Sequence, residues 1–570
     1  MDKIWLSSYP PGVPAEAPVQ AFRSLKAMFD ASALRFGDRP ACSALGATLT
    51  YAQLHAHVVA LGAALSEELH LARGERIALM LPNCLAYPVA VFGAFEAGLQ
   101  VVSCNPMYTA DELAFQLKDS GAAAVIVLEQ FQETLAKALP GTLVRHVVVA
   151  RIADLAPAWR RVAINWAAGH LQHTPPPHPI DGAHPLRDLL ARGVELPSPK
   201  IDLEPSDTAF VQYTGGTTGR PKGALLSHGG MVANVEQVIA WLGAALEPGH
   251  EVVITALPLY HVFALLANLL TFTRLGGENV LVADPRKLPA LVRLLARTDF
   301  TVITGVNTLF DALLRAPGFD AVVRARRGHL KLAVAGGMPV NRHVADAWAT
   351  AFGVPLVEGY GLTEASPIVC ANRIDIPAFT GKLGLPVPST EVRIADLDGN
   401  EVALGEVGEI CVRGPQVMKG YLNQPEETAK VLSPDGWLRT GDMGRMDKAG
   451  YVEFVDRSKD IIVVSGFKAF PAEIEDVAKR LAGVREAGAV GVPDERTGQA
   501  VALFVVAADP SLTVAHVRAH CEQHLVAYKR PRHIELRREL PMSAIGKVLR
   551  RELRLLTPQE HEVATAQDGA

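Results

Sequence analysis

Short runs of β-branched residues alternate with alanine- and leucine-rich stretches through most of the first 400 residues of the chain. Clear examples of these runs are Arg76–Leu81, Ala123–Leu128, Arg145–Ala150 and Phe300–Thr304. Strands that alternate with helices are typical of parallel sheets covered by helices, because each parallel connection must cross from one end of the sheet to the other. The alternation therefore predicts an α/β fold, and a length of 570 residues predicts about two to four domains.

The residue pattern changes after residue 380, where short β-branched runs are separated by glycine-containing turns, as in EVRIADLDGNEV and GEICVRG. This pattern predicts a smaller β-rich unit. A compact α+β pattern begins near Asp460, with a helix predicted near Pro471–Leu481 and strands at Ala487–Val492 and Ala500–Ala507. We therefore predict a large N-terminal domain over residues 1–456, built of parallel-sheet α/β subdomains plus the β-rich subdomain. A linker at 457–460 is followed by a small α+β domain over 461–570.

Composition argues against several classes of function. The net charge is −5, from 55 basic and 60 acidic side chains, and no basic stripe is evident, so a nucleic-acid partner is not expected. The six cysteines are dispersed without a C-x-x-C pair, which argues against a disulfide scaffold or a zinc ribbon and suits a reducing cytosol. The first residues lack the apolar core of a secretory signal, and a cytoplasmic protein is predicted.

Two segments raise the question of a membrane. Val252–Thr273 has 22 residues without a formal charge, but Pro258, His261 and Asn268 interrupt it, so a buried strand, a turn and a buried helix are predicted instead of a span. Trp159–Leu171 is basic at one end and aromatic, which suits either a helix on a membrane surface or an ordinary surface helix. Its small charge cluster favours the ordinary helix.

The segment Tyr213–Gly223, with the sequence YTGGTTGRPKG, predicts a loop that binds phosphate. Glycine allows backbone N–H groups to converge on an anion, threonine adds hydroxyl donors and lysine adds a mobile positive charge. The contributing residues are Thr214, Gly215, Gly216, Thr217, Thr218, Gly219 and Lys222. Pro221 stands where a Walker A motif requires glycine, so that class is excluded, and a plain glycine-rich hairpin loop is the structural alternative.

The same loop resembles the signature of the adenylate-forming superfamily, which includes acyl-CoA synthetases, luciferases and adenylation domains of peptide synthetases. Five further stretches resemble the family's motifs in their order, over roughly residues 20–555: LPLYHVFA, EGYGLTE, DGWLRTGD, VDRSKDIIVVSGFKAFPAEIE and PMSAIGKVLRREL. The resemblance implies two half-reactions. An acid and ATP first give acyl-AMP and pyrophosphate, and a thiol, that of coenzyme A, then takes the acyl group.

The resemblance also implies roles for residues of the first half-reaction. Glu364 is expected to bind Mg²⁺, since a hard cation prefers carboxylate oxygen, and Thr363 to donate to the AMP phosphate. Lys547 is expected to bring a positive charge to the reacting carboxylate and α-phosphate when a mobile C-terminal domain closes. A helix-capping role for Glu364 and a solvent-facing role for Lys547 are the structural alternatives.

Nucleoside contacts are implied in the same way. Tyr360 offers a flat face for adenine, and Gly336 and Gly337 allow the ring to approach closely. Asp442 and Arg457 resemble the family's ribose-binding pair, although a surface ion pair would leave the same pattern.

The second half-reaction is implied to use a loop and a hinge in the C-terminal part of the chain. Ser465 and Gly466 resemble residues that line the tunnel for the pantetheine arm of coenzyme A, and Lys459 resembles the residue on which the C-terminal domain rotates. This hinge coincides with the domain boundary predicted from composition.

Several stretches outside these motifs resemble bacterial long-chain fatty acid–CoA ligases most closely, among them IWLSSYPPGVP, FTVITGVNTLFDALL and GPQVMKGYLNQPEET. An apolar acyl pocket is implied at His261, Phe263, Gly305 and Val306. The alternatives are a ligase for a medium-chain or aryl acid and a non-catalytic relative that binds acyl groups or nucleotides. Peripheral contact with the inner membrane face and a homodimer are further expectations from the resemblance.

Overall fold

The computed structural model describes residues 3–157, 159–160, 179–214, 221–376, 378–396, 398–457, 460–465, 467–494, 496–542 and 548–555. Two compact units divide these residues. The first comprises Met1–Val392, Val412–Leu438 and Ala449–Tyr451, and the second comprises Arg393–Cys411, Arg439–Lys448 and Val452–Ala570. The domain boundary and hinge predicted at 457–460 stay a prediction.

The first unit contains two largely parallel sheets. One has the spatial strand order His184–Pro185, His146–Ala150, Ala124–Leu128, Arg76–Met80, Gln100–Ser103, Thr208–Thr214 and Lys222–Ser227. Its neighbours run parallel except for the last pair, which is antiparallel. Its inner strand Ala124–Leu128 is buried along its whole length, as expected when helices cover both faces. The predicted strands in this region are confirmed.

The other sheet has the order Leu385–Pro386, Ile368–Ala371, Leu356–Gly361, Leu332–Gly336, Val302–Gly305, Val252–Thr255, Glu278–Leu281, Pro40–Ala44 and Ala47–Thr50. Its inner strands are parallel, whereas the strands at its two ends join in antiparallel fashion. The carboxyl ends of Leu332–Gly336 and Leu356–Gly361 therefore lie side by side, and this edge carries the site described below.

Helices connect these strands and begin where the sequence provides caps. Thr50 and Gln53 form a capping box before Tyr51–Ala63, and Thr109 and Glu112 form another before Ala110–Ser120. Further α-helices among the described residues of the first unit are Leu25–Phe36, Ala86–Glu96, Gln132–Ala138, Leu186–Gly193, His228–Leu242, Val262–Ala264, Thr271–Leu275, Leu288–Arg297, Asn307–Leu314, Phe319–Arg326, Arg342–Phe352 and Pro425–Val431. Single turns of 3₁₀ helix lie at Ile4–Ser8, Glu129–Phe131, Gly243–Ala245 and Thr363–Ala365, and π-helical turns at Ala64–Glu68 and Leu265–Leu270.

The uncharged segment 252–273 folds as predicted, with a buried strand at Val252–Thr255, a turn, and helical turns that continue to Leu275. Pro258 and His261 lie in the turn, where the carbonyl of Pro258 accepts a hydrogen bond from the His261 amide. Among the described residues, no helix is both long and apolar enough to cross a bilayer. Of the segment Trp159–Leu171 only the first two residues are described, and both are helical.

The second unit contains two smaller sheets. One has the order Glu391–Ala395, Gly408–Arg413, Leu438–Met446 and Val452–Arg457, a few of whose outermost residues belong to the first unit. The other places Phe467–Ala469, Ile462–Val464, Gly498–Ala507 and Val484–Asp494 side by side, with His533–Arg537 parallel to Gly498–Ala507. Its helices are Pro471–Lys479, Val514–His524 and Arg550–Leu555, with a 3₁₀ turn at Ala527–Lys529.

Candidate active site

The predicted phosphate loop joins two antiparallel strands, Thr208–Thr214 and Lys222–Ser227. Thr214 is the register partner of Lys222, so the two residues that bound the loop face each other across the hairpin. The five loop residues named for phosphate binding, Gly215, Gly216, Thr217, Thr218 and Gly219, lie outside the described residues. A hairpin connection is compatible with a phosphate-binding loop and with a plain glycine-rich loop, so phosphate binding by this segment stays a prediction.

Lys222 is mostly buried and pairs with an acid that the sequence did not single out. Its ammonium group donates to the carboxylate of Glu427, and its side chain is only 12% exposed. The same ammonium lies 5.1 Å from the centre of the Tyr421 ring, within the range of a cation–π contact. Both partners come from the stretch GPQVMKGYLNQPEET, which had been noted only for its resemblance to fatty acid ligases.

Glu364 lies in the 3₁₀ turn Thr363–Ala365, directly after the strand Leu356–Gly361. The turn is tight, because a Cβ atom on Gly361 would lie 2.0 Å from the carbonyl oxygen of Pro367. Oε1 of Glu364 accepts a hydrogen bond of 2.8 Å from the Tyr421 hydroxyl, and no side chain caps this turn. Tyr421 thus lies between two predicted phosphate-side residues, Lys222 and Glu364.

Backbone hydrogen bonds fix residues 418–428, which we call the bracing segment. The amide of Met418 donates to the Glu364 carbonyl over 2.8 Å, and the amide of Leu422 donates to the Gly223 carbonyl over 2.8 Å. The Leu225 amide donates in turn to Gly420 over 2.9 Å. The bracing segment therefore connects the strand that carries Lys222 to the turn that carries Glu364.

The predicted adenine-binding residues lie at the carboxyl ends of neighbouring parallel strands. Gly336 is the register partner of Gly359, which places Gly336 and Gly337 beside Tyr360. Gly337 has a φ of 79°, in the left-handed region that favours glycine. A Cβ atom on Gly336 would lie 2.9 Å from Cζ of Phe263, so that glycine is needed for the close packing of Phe263. Tyr360 is mostly buried.

An apolar cavity of about 60 Å³ lies next to these strands. Phe263, Trp241, Val334 and Ile368 are part of its wall. Of the four predicted acyl-pocket residues Phe263 lines this cavity, whereas His261, Gly305 and Val306 are not part of its wall. The cavity has room for a few water-sized groups, whereas a long alkyl chain contains many more methylene groups. Only one end of such a chain would therefore fit unless the cavity widened.

Glu358 is the one acidic residue in the wall of this cavity. Its Oε1 accepts a hydrogen bond of 3.3 Å from the Val340 amide, while its Oε2 has no hydrogen-bond partner among the described residues. Burial raises the pKa of Glu358 to about 8, against the weaker opposing effects of the Val340 amide and Arg342. Glu358 is therefore largely protonated at neutral pH, and the cavity is largely uncharged.

Asp442 and Arg457 face each other across an antiparallel strand pair in the second unit. Nε of Arg457 lies 3.3 Å from Oδ1 of Asp442, and the Asp442 amide donates to Oγ1 of Thr440 over 3.1 Å. Asp442 is buried, whereas the Arg457 side chain is 43% exposed. The pair exists as an ion pair, and its ribose-binding role stays a prediction.

The predicted residues of the C-terminal part are described only in part. Ser465 has a φ of 51° and its amide donates to the Thr497 carbonyl over 2.8 Å. Gly466, the predicted hinge residue Lys459 and the predicted catalytic residue Lys547 lie outside the described residues. On either side of the predicted hinge, Asp456 and Asp460 both contact the guanidinium group of Arg550.

Two family profiles match the chain. The profile described as AMP-binding enzyme matches residues 29–422, and that described as AMP-binding enzyme C-terminal domain matches residues 473–547. The chain is 47% identical over 554 residues to a long-chain-fatty-acid–CoA ligase of Salmonella typhimurium, covering 97% of this chain and 98% of that protein.

Two further similarities extend the comparison. The chain is 32% identical to 4-coumarate–CoA ligase 2 of Oryza sativa subsp. japonica, covering 90% of this chain and 88% of the relative. The crystal structure of ATP-bound MatB from Rhodopseudomonas palustris superposes with a TM-score of 0.80 at 28% identity, covering 94% of this chain and 99% of the other.

Proposed function

The chain belongs to the AMP-binding enzyme family, and we propose that it joins a long-chain fatty acid to coenzyme A through an acyl-AMP intermediate, releasing AMP and pyrophosphate. The observation that carries the proposal is the 47% identity to a long-chain-fatty-acid–CoA ligase over nearly the whole of both chains. The apolar, uncharged cavity beside Phe263 supports an alkyl substrate, because burial of each methylene is worth about 0.8 kcal/mol.

In the proposed first step, the fatty acid carboxylate attacks the α-phosphorus of ATP, the bond to pyrophosphate breaks, and negative charge builds up on the phosphate oxygens. Stabilisation of that charge is the main task of the protein in such phosphate transfers. We assign it to Thr214, Gly215, Gly216, Thr217, Thr218, Gly219 and Lys222 of the loop, to Thr363, and to Lys547. Tyr360, Gly336 and Gly337 hold the adenine, and Asp442 and Arg457 hold the ribose.

Glu364 suits a role as ligand to Mg²⁺. Within the described residues no group of three or more His, Cys, Asp or Glu side chains could enclose a metal. Mg²⁺ is usually held by one or two carboxylates together with substrate phosphates. The single carboxylate of Glu364 in this turn is therefore sufficient for such a site. Bound there, the ion would neutralise phosphate charge, while Tyr421 orients the Glu364 carboxylate.

Replacing Tyr421 by phenylalanine is expected to raise the Mg²⁺ concentration for half-maximal ATP binding by about tenfold, since loss of a hydrogen bond to a metal ligand typically costs 10- to 100-fold. The backbone bonds of the bracing segment remain, so the melting temperature without nucleotide should hardly change. Calorimetric titration of ATP at a series of Mg²⁺ concentrations measures the effect.

Tyr9→Phe is a matched control for Tyr421→Phe, because it also removes one tyrosine hydroxyl bond, to the Pro386 carbonyl at 2.6 Å. Its Mg²⁺ dependence should equal that of the unmodified chain. An unchanged dependence in Tyr421→Phe would contradict the positioning of Glu364.

In the proposed second step, the sulfur of coenzyme A attacks the acyl carbonyl carbon and AMP leaves. We assign Ser465 and Gly466 to the entrance for the pantetheine arm, and His261, Phe263, Gly305 and Val306 to the acyl side. The C-terminal domain, residues 461–570, would rotate about Lys459 between the two steps, with the linker at 457–460 as its hinge.

Other functions are less well supported. The 32% identity to a 4-coumarate–CoA ligase keeps an aryl or medium-chain acid as the alternative substrate. A non-catalytic binding protein would have no need of Lys547, Glu364 and Asp442 together. A cytoplasmic location stays a prediction from the composition, and a peripheral contact with the inner membrane face and a homodimer stay predictions of the resemblance.

A panel of acids tests the proposed function. Thioester formation with ATP, Mg²⁺ and coenzyme A is measured with saturated acids from butyrate to stearate, and with benzoate and 4-coumarate. We expect the highest kcat/KM for chains of about twelve carbons or more, because each added methylene contributes about 0.8 kcal/mol if it is buried. A preference for an aryl acid with palmitate inert would refute the proposal.

A further inference from the structure

The pairing of Lys222 with Glu427 is built into the backbone around it. Leu422 and Gly420 form hydrogen bonds to the strand that begins at Lys222, and the amide of Tyr421 donates to Oγ1 of Thr428 over 2.8 Å. Glu427 is therefore carried on a helix, Pro425–Val431, whose start is tied to the strand of Lys222. The backbone of both residues is therefore held in place, and the contact between Lys222 and Glu427 does not rest on side-chain conformation alone.

The charges around this pair leave Lys222 neutralised before any nucleotide arrives. The Glu427 carboxylate accepts hydrogen bonds from Lys222 and from Lys430, which lies one helical turn further along the chain. These bonds, that from Lys222 first, lower the pKa of Glu427 to about 2, so it is ionised at any working pH. Without Glu427, this ammonium group, only 12% exposed, would have no counter-ion among the residues that the structure describes, which is unfavourable.

ATP brings a second anion to the same cation. A triphosphate that contacts Lys222 must share the ammonium with Glu427 or displace the carboxylate from it, and the two anions repel each other. Lys430 offers Glu427 a partner after such a displacement, since its ammonium already contacts Oε1 while Lys222 contacts Oε2. Lys222 can therefore leave Glu427 and bind the ATP phosphates while Glu427 stays paired with Lys430.

We propose that Glu427 is an internal competitor of ATP for Lys222: it holds the ammonium group in the nucleotide-free chain and gives it up to the phosphates on binding. The inference rests on the proposed function, because it takes Lys222 as a phosphate ligand. Glu427 thereby weakens ATP binding and sets the ATP concentration at which the loop becomes occupied. It is a positioning residue, acting only through Lys222.

Glu427→Gln is expected to lower the Kd for ATP about three- to tenfold, because the amide is similar in size but carries no charge to compete for Lys222. Glu426→Gln is the matched control: it removes the same charge from the neighbouring, exposed position, and the Kd should change less than twofold. Lys430→Met removes the second partner of Glu427 and should raise the Kd. Binding is measured by calorimetry with ATP and Mg²⁺, without acid or coenzyme A, so that no turnover occurs.

A lower Kd in Glu427→Gln alone, with a higher Kd in Lys430→Met, supports the inference. An unchanged or higher Kd in Glu427→Gln overturns it, and so does an equal fall in Glu426→Gln, which would indicate a general effect of charge. If the unmodified chain forms acyl-CoA and binds ATP but the variants behave alike, only this inference fails; absence of ATP binding in the unmodified chain would overturn it together with the proposed function.

Discussion

Replacing Lys547 by alanine is expected to abolish formation of acyl-AMP while leaving the transfer of the acyl group from preformed acyl-AMP to coenzyme A nearly intact. The expected loss in the first step is roughly 100- to 1000-fold or more, the usual cost of removing one group that stabilises transition-state charge. This is the largest effect expected for any single substitution in the chain, because it acts on the chemical step itself.

The physical reason for the asymmetry lies in the charge change of the two steps. In the first step, a carboxylate approaches an α-phosphate that already carries negative charge, and a cation between them lowers the repulsion. In the second step, the acyl group leaves phosphate for sulfur, and Lys547 is expected to have moved away with the C-terminal domain. A structural role for Lys547 would impair both steps equally.

Exchange of labelled pyrophosphate into ATP measures the first step alone, and thioester formation from synthetic palmitoyl-AMP measures the second. Lys479→Ala is the matched control, since Lys479 is another lysine of the second unit. Lys479 is the last residue of the helix Pro471–Lys479 and forms an ion pair with Glu486. Its pyrophosphate exchange should be unchanged. Undiminished exchange in Lys547→Ala would remove Lys547 from the adenylation step.

The parallel-sheet architecture was predictable from the sequence because its signals are local. Each run of β-branched residues is followed within a few residues by a helical stretch, and such pairs of elements stack in one way. The strand predicted at Arg145–Ala150 is found at His146–Ala150, one residue shorter. The turn in 252–273 was predictable for the same reason, since proline interrupts the apolar run locally.

The order of strands in the second sheet was not predictable in this way. The hairpin made by Pro40–Ala44 and Ala47–Thr50 lies beside Glu278–Leu281, with Cys42 opposite Asn279. These segments are separated by more than two hundred residues, and no local pattern records such a pairing. Contacts of that kind depend on which apolar faces remain uncovered after the intervening elements have packed.

The residues of the candidate site also differ in whether a local sequence motif identifies them. Glu364 and Lys222 could be named from motifs, whereas Tyr421 and Glu427, which contact their side chains, could not. Tyr421 follows Glu364 by 57 positions, and a lone tyrosine in a glycine-containing stretch is ordinarily structural. A signal was nevertheless present: GYLNQPEET places a hydroxyl and acidic groups in a segment that the fatty acid resemblance had already marked.

Replacing Arg550 by methionine is expected to destabilise the second unit by about 3–5 kcal/mol at neutral pH, the usual cost of breaking a buried ion pair from one side. The Arg550 guanidinium donates to Glu475 over 2.7 and 2.9 Å, to Asp456 over 3.1 Å and to Asp460 over 3.3 Å. All three carboxylates are buried. Methionine keeps the apolar stem but leaves them without this cation.

The consequence should reach the proposed hinge and the proposed catalytic lysine, Lys547. Asp456 and Asp460 lie on either side of the intervening positions 457–459, so one guanidinium joins the two ends of that segment. Arg550 also begins the helix Arg550–Leu555, which is separated from Lys547 only by Val548 and Leu549. We therefore expect faster hydrogen exchange over residues 460–555 and slower adenylation in Arg550→Met.

The surface pair of Arg445 and Glu453 provides the control. It has the same bidentate geometry, at 2.9 Å for both bonds, but its side chains are 47% and 36% exposed, so Arg445→Met should cost no more than about 1 kcal/mol. Equal destabilisation by the two substitutions, measured by thermal denaturation and hydrogen exchange, would show that burial of the cluster contributes nothing.

The dependence of this effect on pH has a definite sign. Burial already raises the pKa of Asp456 and Glu475, and Arg550 opposes that rise. In Arg550→Met the opposing charge is gone, so both pKa values in the folded state should move further above those of the unfolded chain. The folded state then binds more protons, and its stability is lost as pH rises through the raised values. Arg550→Met should therefore lie closer to the unmodified chain at pH 5 than at pH 8, whereas a purely steric defect would cost the same at both.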